Sequence, residues 1–133
     1  MLNTVYRLVA PRRFEVAFSD IELFKENQVI VRPQFLSICH ADQRYYQGLR
    51  PADILAKKLP MALIHESIGV VVQSCADNVK VGDRVVMIPN TPVEEDEYIA
   101  ENYLRSSKFR ASGFDGFMQD LVALDAGRVV KLP

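Results

Sequence analysis

Apolar and polar residues along this chain alternate, or run in short apolar blocks, at the spacing of strands rather than helices. Val5-Tyr6-Arg7-Leu8-Val9 and Phe14-Glu15-Val16-Ala17-Phe18 flank Pro11-Arg12-Arg13, which reads as strand, turn and strand. Gln28 to Cys39 is a long β-rich run in which Pro33 predicts an edge or a bend, because proline cannot donate to a ladder. His65 to Gln73 is another, and its Val70-Val71-Val72 block predicts burial on both faces. Gly82-Asp83 turns the chain into Arg84-Val85-Val86-Met87-Ile88; Gly116 precedes a predicted strand from Phe117 to Val122, and Arg128 to Leu132 forms the last one. Helix is expected only in pieces: Asp42 to Gln47, Ala52 to Lys58 after Pro51, and Glu94 to Leu104, which is acidic near its start. Short strands punctuated by glycine and proline predict one mainly β domain, a small barrel or sandwich with short helices.

Composition narrows this only a little. A chain of 133 residues suits one domain with a real core. Apolar content of 49% and charged content of 25% are ordinary for a globular protein, and a net charge of −1 gives no electrostatic footprint for nucleic acid or an anionic membrane. The start, Met1-Leu2-Asn3-Thr4, has no basic region followed by an apolar run, so no signal peptide is expected. No stretch approaches the roughly 20 apolar residues that span a bilayer. Cys39 and Cys75 are too few for a secreted disulfide scaffold. The sequence leaves a Cys39–Cys75 bridge open, but a reduced, cytoplasmic chain is the better reading, and it keeps Cys39 available as a metal ligand.

The chemistry is concentrated in Cys39-His40-Ala41-Asp42 and Ile64-His65-Glu66. Together they offer a thiolate, an imidazole and two carboxylates, the ligand types of a catalytic zinc that keeps one position open. Cys39 and His65 lie 26 positions apart, so they meet only through the fold. Taken singly, a cysteine is more often a small buried residue, and a histidine more often satisfies a local hydrogen bond.

The order and company of these motifs change that balance. Cys39-His40-Ala41-Asp42 is followed by His65-Glu66 with Gly69 and Val71, by Val81-Gly82-Asp83-Arg84-Val85, and by Gly113-Phe114-Asp115-Gly116-Phe117-Met118-Gln119-Asp120. Over nearly the whole chain this resembles the N-terminal catalytic domain of the medium-chain, zinc-dependent alcohol and polyol dehydrogenases. The resemblance implies a chaperonin-10 (GroES)-like, partly open β-barrel. It implies Cys39 and His65 as zinc ligands, Glu66 as a nearby carboxylate that binds the metal or exchanges with water, and Asp42 as the residue holding a ligand in place. Tyr45 falls where related polyol dehydrogenases line the substrate pocket; packing beside Tyr46 is the alternative.

Three departures narrow the relatives. Ala41 stands where many members carry a serine or threonine hydroxyl that relays the substrate proton, which leaves water or another side chain for that task. The stretch from Ile88 to Ser112 lacks the four cysteines of the family's structural zinc lobe, so no structural zinc is expected. Ile64 replaces the usual glycine before His-Glu. With Leu59-Pro60-Met61-Ala62-Leu63-Ile64-His65-Glu66, Met87-Ile88-Pro89-Asn90-Thr91-Pro92 and Asp42-Gln43-Arg44-Tyr45-Tyr46, the chain looks like the ribulose-5-phosphate reductases that serve CDP-ribitol and teichoic acid synthesis. Ala100-Glu101-Asn102-Tyr103-Leu104 and Phe109-Arg110-Ala111-Ser112-Gly113 add to that likeness.

That resemblance implies reduction of ribulose 5-phosphate to ribitol 5-phosphate by NADPH, with zinc polarising the ketone oxygen. A cytidylyltransferase would be a pathway partner, and the complete enzyme a homo-oligomer. Arg44, Lys108 and Arg110 are candidates for the phosphate, with surface solvation the blander reading for each. The six glycines never form Gly-x-Gly-x-x-Gly, so residues 1–133 are expected to be the GroES-like part of a longer enzyme. The Rossmann cofactor domain and a third zinc ligand would lie elsewhere, leaving this portion with weak zinc affinity and no activity alone. A zinc-free quinone or enoyl reductase fits less well, since such relatives lack the Cys and His. A GroES-like binding module would share the barrel without a reason for the Cys39, His65 and Glu66 set. Gly113-Phe114-Asp115-Gly116 matches an RNA-binding Gly-x-x-Gly loop in spacing alone, its centre being non-basic.

Overall fold

A computed structural model describes residues 1–23, 25–91, 97–98 and 108–133. The turn at Pro11-Arg12 folds β1 (Leu2–Ala10) and β2 (Arg13–Asp20) into an antiparallel hairpin. β3 (Gln28–Leu36) leads to α1 (His40–Gln47) and α2 (Ala52–Lys58), and then to the two-residue strand β4 (Met61–Ala62). β5 (Ser67–Ser74) and β6 (Arg84–Met87) follow. A short ribbon of β7 (Asn90–Thr91) and β8 (Lys108–Phe109) comes next, and β9 (Val122–Asp125) and β10 (Val129–Lys131) close the chain. The main sheet has the order β10-β6-β5-β3-β9, and a second sheet has the order β2-β1-β4. The result is mainly β, a curled half-barrel with two short helices among the described residues. The helix expected at Glu94 to Leu104 falls almost entirely outside those residues.

Local chemistry explains most boundaries. β9 pairs with β3 only as far as Val31, so Pro33 lies where β3 has β5 as its one partner, beside a register shift between Pro33 and Phe35. A missing amide is tolerated there, as on any strand edge or bulge. α1 ends where Gly48 adopts a left-handed φ of 73° and Leu49 donates to the Arg44 carbonyl, a glycine-capped helix end.

Burial on both faces occurs in β3, where Val29, Ile30 and Val31 are all fully buried. The expectation of such burial for Val70-Val71-Val72 is corrected: of these three valines only Val71 is buried, and Val70 and Val72 are half-covered. One face of β5 meets the core and the other is only partly roofed, so this strand shows a period of two.

The run from Phe117 to Val122 is a second correction. Its first half is no regular strand, because its amides close onto a loop instead of a ladder. Gly116 donates to the Ala62 carbonyl (2.8 Å), Phe117 to Ile64 (2.7 Å) and Met118 to Leu63 (3.2 Å). On the other side Tyr6 donates to Met118, and Asp120 to Thr4. The chain thus wedges the 62–64 loop against β1. Phe117, with no exposed surface, plugs the core beneath it. Asp115 adds a bidentate pair with Arg7, shortest at 2.7 Å, and also accepts from the Ala62 amide at 2.9 Å.

Gly116 is required sterically. A Cβ there would collide with the carbonyl oxygens of Leu63 and Ile64, which are already fixed by hydrogen bonds. Gly82, by contrast, has φ of 95° but open space around it. Gly116→Ala is expected to cost about 2–3 kcal/mol in urea denaturation as overpacking, and Gly82→Ala about 1 kcal/mol from its left-handed backbone alone. A Gly116 variant no costlier than the Gly82 variant would contradict this wedge.

Candidate metal centre

Cys39 is the residue at which β-structure gives way to helix: it is extended (φ −101°, ψ 175°) and caps the N-terminus of α1. Asp42, at the third helical position, reaches back so that one carboxylate oxygen accepts the Cys39 amide at 3.0 Å. This is one half of a capping box, and a carboxylate in the first turn is also favoured by the helix dipole. The other oxygen accepts the amide of Ile64 at 3.0 Å. Asp42 is 3% exposed, so these bonds are made in a dry setting where an unmet partner is costly.

Ile64 itself has φ of 76°, a conformation rare for a β-branched residue. It is held there by Asp42 on its amide, by the Phe117 amide on its carbonyl, and by burial of its side chain in the core. The left-handed residue turns the chain so that the next side chain, His65, swings toward α1. Glycine at this position in the family resembled would take that conformation freely; Ile64 takes it at a cost of about 1–2 kcal/mol and fills the space beside Asp42 in return.

The outcome is a cluster of Cys39, Asp42 and His65 whose potential ligand atoms all lie within 4.8 Å of one another. Cys39 Sγ and His65 Nδ1 are 3.8 Å apart. Zinc bonds of about 2.3 Å to sulfur and 2.0 Å to nitrogen, meeting at a tetrahedral angle, hold their ligand atoms about 3.5 Å apart. A thiol and an imidazole at this separation suit a tetrahedral metal with little movement. Asp42 differs from the other two because both of its oxygens already hold amides. Glu66 stands on the opposite side of the ring, its Oε1 3.7 Å from His65 Nε2, and is largely exposed. It therefore faces the nitrogen that Cys39 does not.

His65 and Glu66 border an apolar cavity of about 630 Å³ that includes Phe35, Ile68, Met87 and Pro89. Asp42 and Ile64 border a second, of about 520 Å³, with Phe14, Ile38 and Tyr46. Tyr45, expected at a substrate pocket, is instead 4% exposed and packed in the core, its ring 4.6 Å under the Arg50 guanidinium. Its place on the inward face of α1, one turn after Ala41, accounts for this. Arg44 is exposed on α1.

Arg110 is neither solvated nor free. Its guanidinium donates to the carbonyls of Asp115 and Ala123 and lies 4.9 Å and 5.2 Å from the Phe114 and Phe117 rings. Burial pushes its pKa down to about 10, against the opposing pull of Asp115, which still leaves it charged at neutral pH. Phe109 is a further neighbour of the site, its ring 5.5 Å from that of His65. That contact comes from pairing between β7 and β8, which no local pattern announces.

Residues 25–133 match the alcohol dehydrogenase GroES-like domain, and the chain belongs to that family. Along its whole length it is 59% identical to the ribulose-5-phosphate reductase of Bacillus spizizenii and 56% identical to ribulose-5-phosphate reductase 1 of Staphylococcus aureus. It spans 39% of the length of each of these relatives. The crystal structure of S. aureus TarJ in complex with NADPH superposes with a TM-score of 0.76 and 44% identity, covering 100% of this chain and 34% of that one. L-idonate 5-dehydrogenase of Escherichia coli shares the fold, with a TM-score of 0.85 at 23% identity over 100% of this chain and 40% of that one.

The double role of Asp42 is open to test by Asp42→Asn. An amide offers a single acceptor oxygen, so either the Cys39 or the Ile64 N–H must face an NH₂ group. The expected cost is about 1–3 kcal/mol in urea denaturation, the penalty of an unmet buried donor. Wild-type stability would show that the two amides do not depend on this carboxylate.

Proposed function

We propose that this chain is the metal-bearing GroES-like portion of a zinc-dependent reductase that converts ribulose 5-phosphate to ribitol 5-phosphate with NADPH. The observation that carries it is the 3.8 Å approach of Cys39 Sγ to His65 Nδ1, in a chain so similar to ribulose-5-phosphate reductases. Zinc bound there supplies Lewis acidity toward the ketone oxygen, and NADPH supplies the hydride.

The chain's own residues do the positioning. Cys39 offers a charged sulfur and His65 a neutral nitrogen, a donor set that leaves room for a further ligand and for substrate. Asp42 fixes the backbone of both ligands through the amides of Cys39 and Ile64, and so sets their separation before any metal arrives. Glu66 is placed to orient the imidazole from its far nitrogen, or to approach the metal after a side-chain rotation. The cavity beside His65 offers an apolar wall to one side of the reacting carbonyl. Ala41 has no hydroxyl, so the proton that completes the alcohol comes by water or from another side chain. A third protein ligand and the cofactor site belong to the remainder of the longer enzyme, which predicts weak zinc binding and no reductase activity for residues 1–133 alone.

In the longer enzyme, Cys39→Ser should strip most of the zinc, read by metal analysis, and lower ribulose 5-phosphate reduction by about a hundredfold or more. Retention of both zinc and activity would sink the ligand assignment.

A further inference from the structure

A sugar phosphate has its ketone near one end and its phosphate at the other, so a site that reads both needs cations a few ångströms from the metal. Arg110 is committed to carbonyls in the core, and Arg50 lies over Tyr45. The structure instead gathers Lys58, Lys108, Phe109, Ser112, Gly113 and Phe114 around a cavity of about 340 Å³.

Lys58, the last residue of α2, donates to both the carbonyl and the hydroxyl oxygen of Ser112, each at 3.2 Å. An ammonium has three hydrogens, so one remains for the cavity, and the Ser112 hydroxyl keeps its own hydrogen to donate. Gly113 permits this arrangement, since a Cβ there would press on Lys58 Cδ at 3.0 Å. Lys108 lies with its Nζ 5.6 Å from the centre of the Phe114 ring. Among the described residues no carboxylate pairs with either lysine. A lysine with a hydrogen to spare, a second lysine, a hydroxyl and a partly enclosed cavity form an anion receptor.

Phe109 forms part of the cavity wall and packs against His65, with 5.5 Å between ring centres. The receptor is therefore one aromatic ring away from the proposed metal. Resting on the reductase reading above, we propose that Lys58, Lys108 and Ser112 hold the phosphate of the substrate while its ketone lies at Cys39 and His65, with Phe109 as the spacer between them.

Two measurements test this. Inorganic phosphate titrated into the 133-residue chain should produce saturable amide shifts at Ser112 and Gly113 by NMR, lost in Lys58→Met/Lys108→Met. Absence of saturation, or its persistence in the double variant, overturns the subsite whether or not the chain belongs to a reductase. In the longer enzyme, each Lys→Met change should lower the preference for ribulose 5-phosphate over ribulose by about tenfold to a hundredfold, the worth of one charge-assisted hydrogen bond, and Lys58→Arg should restore part of it. Equal losses on both ketoses would mark a structural role and overturn the proposal. A raised KM for NADPH with unchanged sugar preference would assign the receptor to the cofactor and overturn it likewise. If the wild-type enzyme reduces neither sugar, the reductase reading falls, and the phosphate titration still decides the subsite.

Discussion

One buried carboxylate holds this site together. Asp42 accepts the amide of Cys39 with one oxygen and that of Ile64 with the other, and each bond is 3.0 Å long. The first bond belongs to the cap of α1, and the second to a loop that follows α2 and β4. Because both end on one side chain, the two halves of the cluster cannot drift apart without leaving a dry carboxylate unmet. Breaking either bond in such a setting costs about 1–3 kcal/mol, a large share of the stability of a domain this size.

The rest of the fold makes that carboxylate effective. Ile64 must take a left-handed backbone for His65 to face Cys39, and its φ of 76° is sustained from both sides. Gly116, Phe117 and Met118 pin the 62–64 loop from one flank, and Asp115 ties Ala62 to Arg7 of β1. Phe117 anchors the wedge in the core. The histidine is thus presented by a loop, but a loop as firmly hydrogen-bonded as a strand. Catalytic and binding residues on loops depend on this kind of rigid support.

Much of this was legible in the sequence where the signal was local or repeated a known order. The β1–β2 hairpin, the strands β3, β5 and β6, and both short helices follow from period, turn residues and Pro51. The motifs around Cys39, Asp42 and His65 marked the residues of the cluster, whereas the left-handed backbone of Ile64 was not foreseen. What could not be read depended on contacts across the chain. Phe117 to Leu121 has strand-like residues, but the amides of Phe117 and Met118 go to a loop some fifty residues earlier, at Ile64 and Leu63. Arg110 looks like any surface cation until two aromatic rings and two carbonyls close over it. Tyr45 has the spacing of a pocket residue, yet it lies on the buried face of α1 and packs in the core. The pairing of β7 with β8 brings Phe109 to His65, and nothing near either residue foretells it.

Cobalt substitution tests the central claim most directly, because the optical spectrum of Co²⁺ reports ligand type and geometry together. If Cys39 and His65 share one metal in the longer enzyme, its cobalt form should show sulfur-to-cobalt charge transfer in the near ultraviolet and the intense visible bands of a four-coordinate ion. Weak visible bands without a sulfur transition, as from an octahedral ion held by oxygen ligands and water, would contradict it.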